Sequence, residues 1–132
     1  MKPLTREWVD KAEGDRSTAQ RELRVRKSPN FDAVCFHAQQ CAEKYLKALL
    51  QERAAAIPHT HNLEALAKPM LASNPALAAL TTDLRTLGAY AVETRYPGRS
   101  TDRAMAKEAF GHCEAIRAAV RKIHRKPQFR GR

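Results

Sequence analysis

The chain has 132 residues, with 24 Lys or Arg against 14 Asp or Glu and a formal charge of +10, a size that supports one core without staples. No run is apolar enough to cross a bilayer, the stretch MKPLTREWVDKAEGDR lacks the apolar middle of a signal peptide, and Cys35, Cys41 and Cys113 show no Cys-x-x-Cys spacing that would imply a disulfide framework. The expectation is a cytoplasmic protein whose charge eases association with phosphates or other acidic partners.

Thr5 can cap a first helix over about residues 6–26, with Trp8, Ala12, Ala19 and Leu23 on its inner face. Asp15 falls on that same stripe, so its carboxylate needs a partner, for which Arg95 and His37 are candidates, unless the helix is rotated enough to keep it wet. After Ser28, Pro29 and Asn30, the stretch from Phe31 to about Arg53 fits one helix period throughout. Phe31, Val34, Cys35, Ala38, Ala42, Tyr45, Leu46 and Leu49 make its apolar stripe. Phe36, His37, Gln40, Cys41, Lys44 and Lys47 lie beside it, and Asp32, Glu43 and Gln51 complete a wetter side on which Glu43 and Lys47 can pair. Such a helix is expected at the centre of a bundle.

The alanines at 54–56 and Pro58 end it, and Thr60 or Asn62 can cap a short third helix with Leu63, Leu66 and Met70 inside and Pro69 limiting it. Ser73, Asn74 and Pro75 open a fourth helix whose buried stripe is Leu77, Leu80, Leu84, Leu87 and Ala91, ending near Thr94 or Arg95 before Pro97 and Gly98. Ser100 or Thr101 can start the last, with Asp102 in its first turn and Met105, Ala109, Cys113, Ile116, Val120 and Ile123 inside. The sum is an all-α, antiparallel up-and-down bundle of four main helices and a short one. It forms one domain over residues 1–124, with a basic tail at 125–132. Residues 117–132 hold Arg117, Arg121, Lys122, Arg125, Lys126, Arg130 and Arg132 and no carboxylate side chain, which reads either as a solvated end or as an RNA or nucleotide footprint.

The words FHAQQCAEKYLKALL, THNL at 60–63 and YAVETRYP at 90–97 resemble the HEPN domain family, in three blocks covering most of the chain. Ribonuclease members of that family carry an Arg followed after four to six residues by a His near the start of a late helix. Here the neighbourhood RYPGRSTDRAMAKEA has Arg95, Arg99 and Arg103 but no histidine, and His112 comes too late. Arg53 with His59 and Arg117 with His124 match only by chance. The resemblance is to RYP-bearing members, which implies a homodimer, nucleotide binding and work beside a nucleotidyltransferase-like partner, including in toxin–antitoxin pairs.

Arg95 is the first ligand candidate, since a guanidinium at a helix end can present paired donors to a phosphate, and Tyr96 and Tyr90 could stack a base. His37, Gln40, Lys44 and Lys47 line one strip of the central helix and could serve a phosphate or ribose, or equally form a polar seam or a dimer face together with Phe36 and Tyr45. No catalytic residue is identified. His59, His61 and Glu64 match no familiar zinc spacing, so no metal and no cofactor is expected. The leading reading is a non-catalytic nucleotide- or RNA-binding protein. Its rivals are a metal-independent ribonuclease using His37 or His61, and a helical adaptor docking an acidic protein.

Overall fold

The computed structural model of the protein describes residues 1–93, 97, 98 and 100–125. All regular structure among them is helical: α1 Pro3–Leu23, α2 Phe31–Glu52, α3 Leu63–Ala67 with a 3-10 turn at Lys68–Met70, α4 Pro75–Ala78, α5 Thr81–Glu93 and α6 Arg103–Arg125. The four long helices of the expected bundle are α1, α2, α5 and α6.

Local chemistry moves several boundaries. Helix α1 begins at Pro3, whose fixed φ suits a first helical position, so Thr5 is not the cap but a fully buried residue inside the first turn. The helix stops at Leu23, short of residue 26, where the amides of Arg24 and Val25 turn back to Arg21 and Glu22 and Ser28 takes a φ of +53°. Asn30 caps α2 by accepting the Ala33 amide at 3.0 Å. At its other end Ala54 adopts a φ of +55°, a conformation that usually falls to glycine, while the Ala55 amide closes on the Leu50 carbonyl.

Of the two possible caps of α3, Asn62 serves, accepting the Ala65 amide at 2.9 Å; Thr60 instead accepts the Asn62 amide. The single helix expected from Pro75 is two, because the Thr81 hydroxyl donates to the Ala78 carbonyl and the chain turns through Ala79 and Leu80. Asp102 is not a first-turn residue but the cap of α6, accepting the Met105 amide at 2.8 Å. Gly98 takes a φ of +84°, as a turn glycine can.

Cross-links between the helices set their directions. The Lys2 amide donates to Glu52, and Glu13 and Arg16 meet Arg117 and Glu114, so α1 runs antiparallel to both α2 and α6. Asp32 accepts from the Thr101 amide and hydroxyl, which brings the starts of α2 and α6 together and makes these two parallel. Asp83 with His112 and Tyr90 with Glu108 make α5 antiparallel to α6. The order is up-down-up-down.

Helix α2 packs against α1, α3, α5 and α6, with Val34, Cys35, Ala38, Cys41, Ala42, Tyr45, Leu46, Ala48, Leu49 and Leu50 buried in one core cluster or beside it. Among the described residues no helix is long and apolar enough to cross a membrane. Leu46→Ala, at a fully buried position of the central helix, is expected to cost about 2–5 kcal/mol in urea denaturation. A loss below about 1 kcal/mol would be that of a surface site and would contradict the central placement of α2.

Candidate functional site

The strip of α2 that the sequence singles out is brought together, and each of its charges finds a counter-charge. Asp15 enters from α1 with a side chain 11% exposed. One of its oxygens lies 2.8 Å from His37 Nδ1 and the other accepts from Lys44 Nζ at 2.5 Å. The carboxylate does point inward, and its partners are His37 and a lysine. Arg95 and Tyr96 lie outside the described residues.

One turn on, Glu43 departs from expectation. It is not on a wet side but buried, because the connection after α2 folds back over it. Lys47 Nζ donates to Glu43 at 3.0 Å, His61 Nδ1 lies 3.1 Å from both carboxylate oxygens, and Gln39 donates to Glu43 and to the His61 carbonyl. Gln40 donates to Gln39 at 2.9 Å. Gln39, fully buried, was not legible as a network residue, since an amide on an apolar face announces no partner. Burial pushes the Glu43 carboxyl up, but the contacts from Lys47, His61 and Gln39 outweigh it and hold the group below its ordinary value. Lys47 Nζ also lies 5.5 Å from the centre of the Trp8 ring.

Tyr90 is 7% exposed and its hydroxyl donates to Glu108, near His112, whose Nδ1 is 2.7 Å from Asp83. Little of its ring is open to a base. His61 binds Glu43, and Glu64 pairs with Arg85, so the histidine and carboxylate near residue 60 are drawn to different partners. Among the described residues no group of three or more His, Cys, Asp or Glu could hold a metal ion.

A second polar face lies between α1 and α6. Arg117 makes a two-pronged pair with Glu13 at 2.6 and 3.0 Å, and Arg16 a similar one with Glu114 at 2.6 and 2.9 Å. The Arg117 guanidinium holds Glu13 below the usual carboxylate range against the opposing effect of burial, and Arg16 does the same for Glu114. The Tyr45 hydroxyl, fully enclosed, donates to Glu13; burial and then that carboxylate push it up to about 12.

Beyond this layer the balance changes. Arg6 of α1 with Arg121, His124 and Arg125 of α6 line a cavity of about 190 Å³ whose floor includes Tyr45 and Val9. Arg121 donates to the Tyr45 hydroxyl at 3.4 Å. None of Arg6, Arg121 and Arg125 forms an ion pair among the described residues. The carboxylate-free run from residue 117 signalled half of this site. Arg6 could not be found from sequence, because only the antiparallel packing of α1 brings it there.

A family model for the HEPN domain matches residues 5–123. The chain belongs to the HEPN domain family. Among solved structures this HEPN chain is similar to TT1696 from Thermus thermophilus, at 25% identity and a TM-score of 0.78, over 89% of this chain and 96% of that one. No curated protein matches it.

The paired carboxylates predict a pH dependence. Because the folded-state values of Glu13, Glu43 and Glu114 are lowered, the stability they add is complete above their unfolded value near 4.5 and is lost as pH falls through the folded values. The urea midpoint should therefore drop between about pH 5 and 3, and Glu43→Gln should drop less steeply. An unchanged slope in Glu43→Gln would remove that residue from the account.

Proposed function

We propose that this HEPN protein binds RNA or a nucleotide without cutting it and works beside a nucleotidyltransferase-like partner, in the manner of a toxin–antitoxin pair. The observation that carries the reading is the uneven pairing of its cations. Lys44, Lys47, Arg16 and Arg117 are spent on carboxylates, while Arg6, Arg121 and Arg125 share one groove with no carboxylate in its lining. Three guanidiniums held by two helices, of which Arg121 also feels the Glu13 carboxylate beneath the groove, suit a phosphate backbone, and desolvating them costs less than desolvating ammonium groups.

Arg95 and Tyr96 extend this reading as a phosphate clamp and stacking residue. The strip of His37, Gln40, Lys44 and Lys47 has a lesser part in this reading as a positioned polar surface, since a lysine already shared with Asp15 or Glu43 offers less field to a phosphate. Phe36, 37% exposed and edge-on to His37, marks that strip as a face for a second copy of the chain. One specific observation favours a second reading, ribonuclease activity through His37, because its Nδ1 is held by Asp15 as a general base would be. RNA left intact by the purified protein, and by its His37→Ala variant alike, would dispose of it.

The test is fluorescence anisotropy with a short single-stranded RNA across a salt series. Arg121→Ala with Arg125→Ala is expected to weaken binding about tenfold or more and to reduce the salt slope by about 1.4, two contacts' worth, with thermal stability nearly unchanged. Arg95→Ala should likewise lose affinity without losing stability. Binding of neither RNA nor nucleotide at low salt would leave docking of an acidic protein as the use of this surface.

A further inference from the structure

His124 lines two cavities. One is the arginine groove just described; the other, of about 310 Å³, lies where the start of α1 meets the ends of α2 and α6 and is lined by Lys2, Glu52, Arg53, Asn74 and His124 over Leu49 and Ile123. The second cavity is thus a polar recess abutting the groove, with an apolar floor and room for several waters.

Its polar groups are unevenly satisfied. Arg53 is oriented by its bond to Ser73 at 2.8 Å, and Glu52 accepts the Lys2 amide at 3.0 Å, so the single carboxylate of the lining is occupied at the start of α1. That amide contact is the main cause of the lowered value of Glu52, which therefore stays ionised and engaged with the backbone. His124 Nε2 is shielded from solvent and has no hydrogen-bond partner among the described residues. A buried ring nitrogen without a partner costs stability unless a ligand satisfies it. Burial keeps His124 below its ordinary value, so the ring is held neutral and an incoming anion would favour its protonation.

The charges then indicate the ligand. Among the lining side chains Lys2 and Arg53 against Glu52 leave one net positive charge, a protonated His124 makes two, and the N-terminal ammonium, whose field reaches Glu52 and His124, adds to the excess. A phosphodiester carries one negative charge, whereas a phosphomonoester carries about 1.5–2 and three acceptor oxygens. We propose that the recess holds a terminal phosphomonoester, with Arg53 as its donor and His124 as a second once its ring turns to bring the shielded Nε2 to the recess, and that the strand attached to it runs out along Arg6, Arg121 and Arg125. The proposal rests on the RNA-binding reading above and adds to it a requirement for a phosphorylated strand end. A free nucleoside monophosphate offers the same group without the strand.

The experiment compares the full chain's affinity for one short RNA bearing a 5′-phosphate with the same RNA bearing a 5′-hydroxyl, both labelled at the 3′ end, and uses AMP as competitor. The expected result is a preference of about tenfold for the phosphorylated strand. Arg53→Ala and His124→Gln should each cut that preference to about twofold or less, with far-ultraviolet circular dichroism and melting temperature reporting that the variants fold. Arg121→Ala with Arg125→Ala should instead weaken both RNAs alike. Equal affinity of the wild type for the two RNAs overturns the recess as a phosphate site while leaving the groove standing. AMP competing as tightly as the phosphorylated RNA overturns the strand end as its occupant and assigns it to free nucleotide. Failure of both RNAs to bind at low salt overturns the groove reading itself and, with it, this one.

Discussion

The enclosure of α2 by α1, α5 and α6 is the constraint on which the rest of the structure depends, because a helix surrounded on that many sides can keep an ionised side chain only where a neighbour neutralises it. Its interior faces are mostly apolar, but Gln39, Glu43, Lys44 and Lys47 interrupt them. Each is met by a specific group: Asp15 comes in from α1 for Lys44 and His37, and the connection after α2 brings His61 to Glu43. These pairs add modestly to stability, since desolvation offsets much of the attraction, but removing one partner leaves a charge that water reaches poorly. They therefore act most strongly on register, holding α1 and the 53–62 connection at one position along α2.

That same neutralisation separates two kinds of basic residue in a chain of +10. Cations facing the core are consumed by carboxylates and support the fold. At the outer edge of the α1–α6 contact, Arg121 and Arg125 from the last turns of α6 and Arg6 from the first turn of α1 line a groove that contains no carboxylate, although the field of Arg121 reaches Glu13 beneath it. Net charge alone describes the whole surface; the packing of α1 on α6 is what gathers three arginines into one groove. The two-pronged pairs of Arg117 with Glu13 and Arg16 with Glu114 fix the spacing of the two helices beneath the groove, so its arginines stand on a rigid base.

Membership of the HEPN family and likeness to a solved structure over nearly the whole of both chains account for the fold. They do not transmit an activity, since a fold is a scaffold for sites and the chemistry depends on the side chains placed on it. In this chain the run RYPGRSTDRAMAKEA holds no histidine. Of the five imidazoles, His37, His61 and His112 are bound up with Asp15, Glu43 and Asp83, His124 is set in the recess at the bundle end, and His59 is exposed on the connection after α2.

By itself the sequence determined the helical class, the four long helices and the central place of α2, because apolar spacing at three and four residues reports directly which face must leave water. It also determined that Asp15 needed a partner, since a carboxylate on an apolar stripe is a local fact. Helix ends were less legible: Pro3, Thr81 and Asp102 shift boundaries through hydrogen bonds that compete within a turn, and several residues of similar capping power stood side by side. Only the tertiary structure decided that Glu43 is buried, that Tyr90 spends its hydroxyl on Glu108, and that Arg6 stands with Arg121 and Arg125. Those outcomes depend on groups tens of residues apart meeting across helices. Periodicity gives the face a residue occupies, and the packing of two helices gives what that face meets.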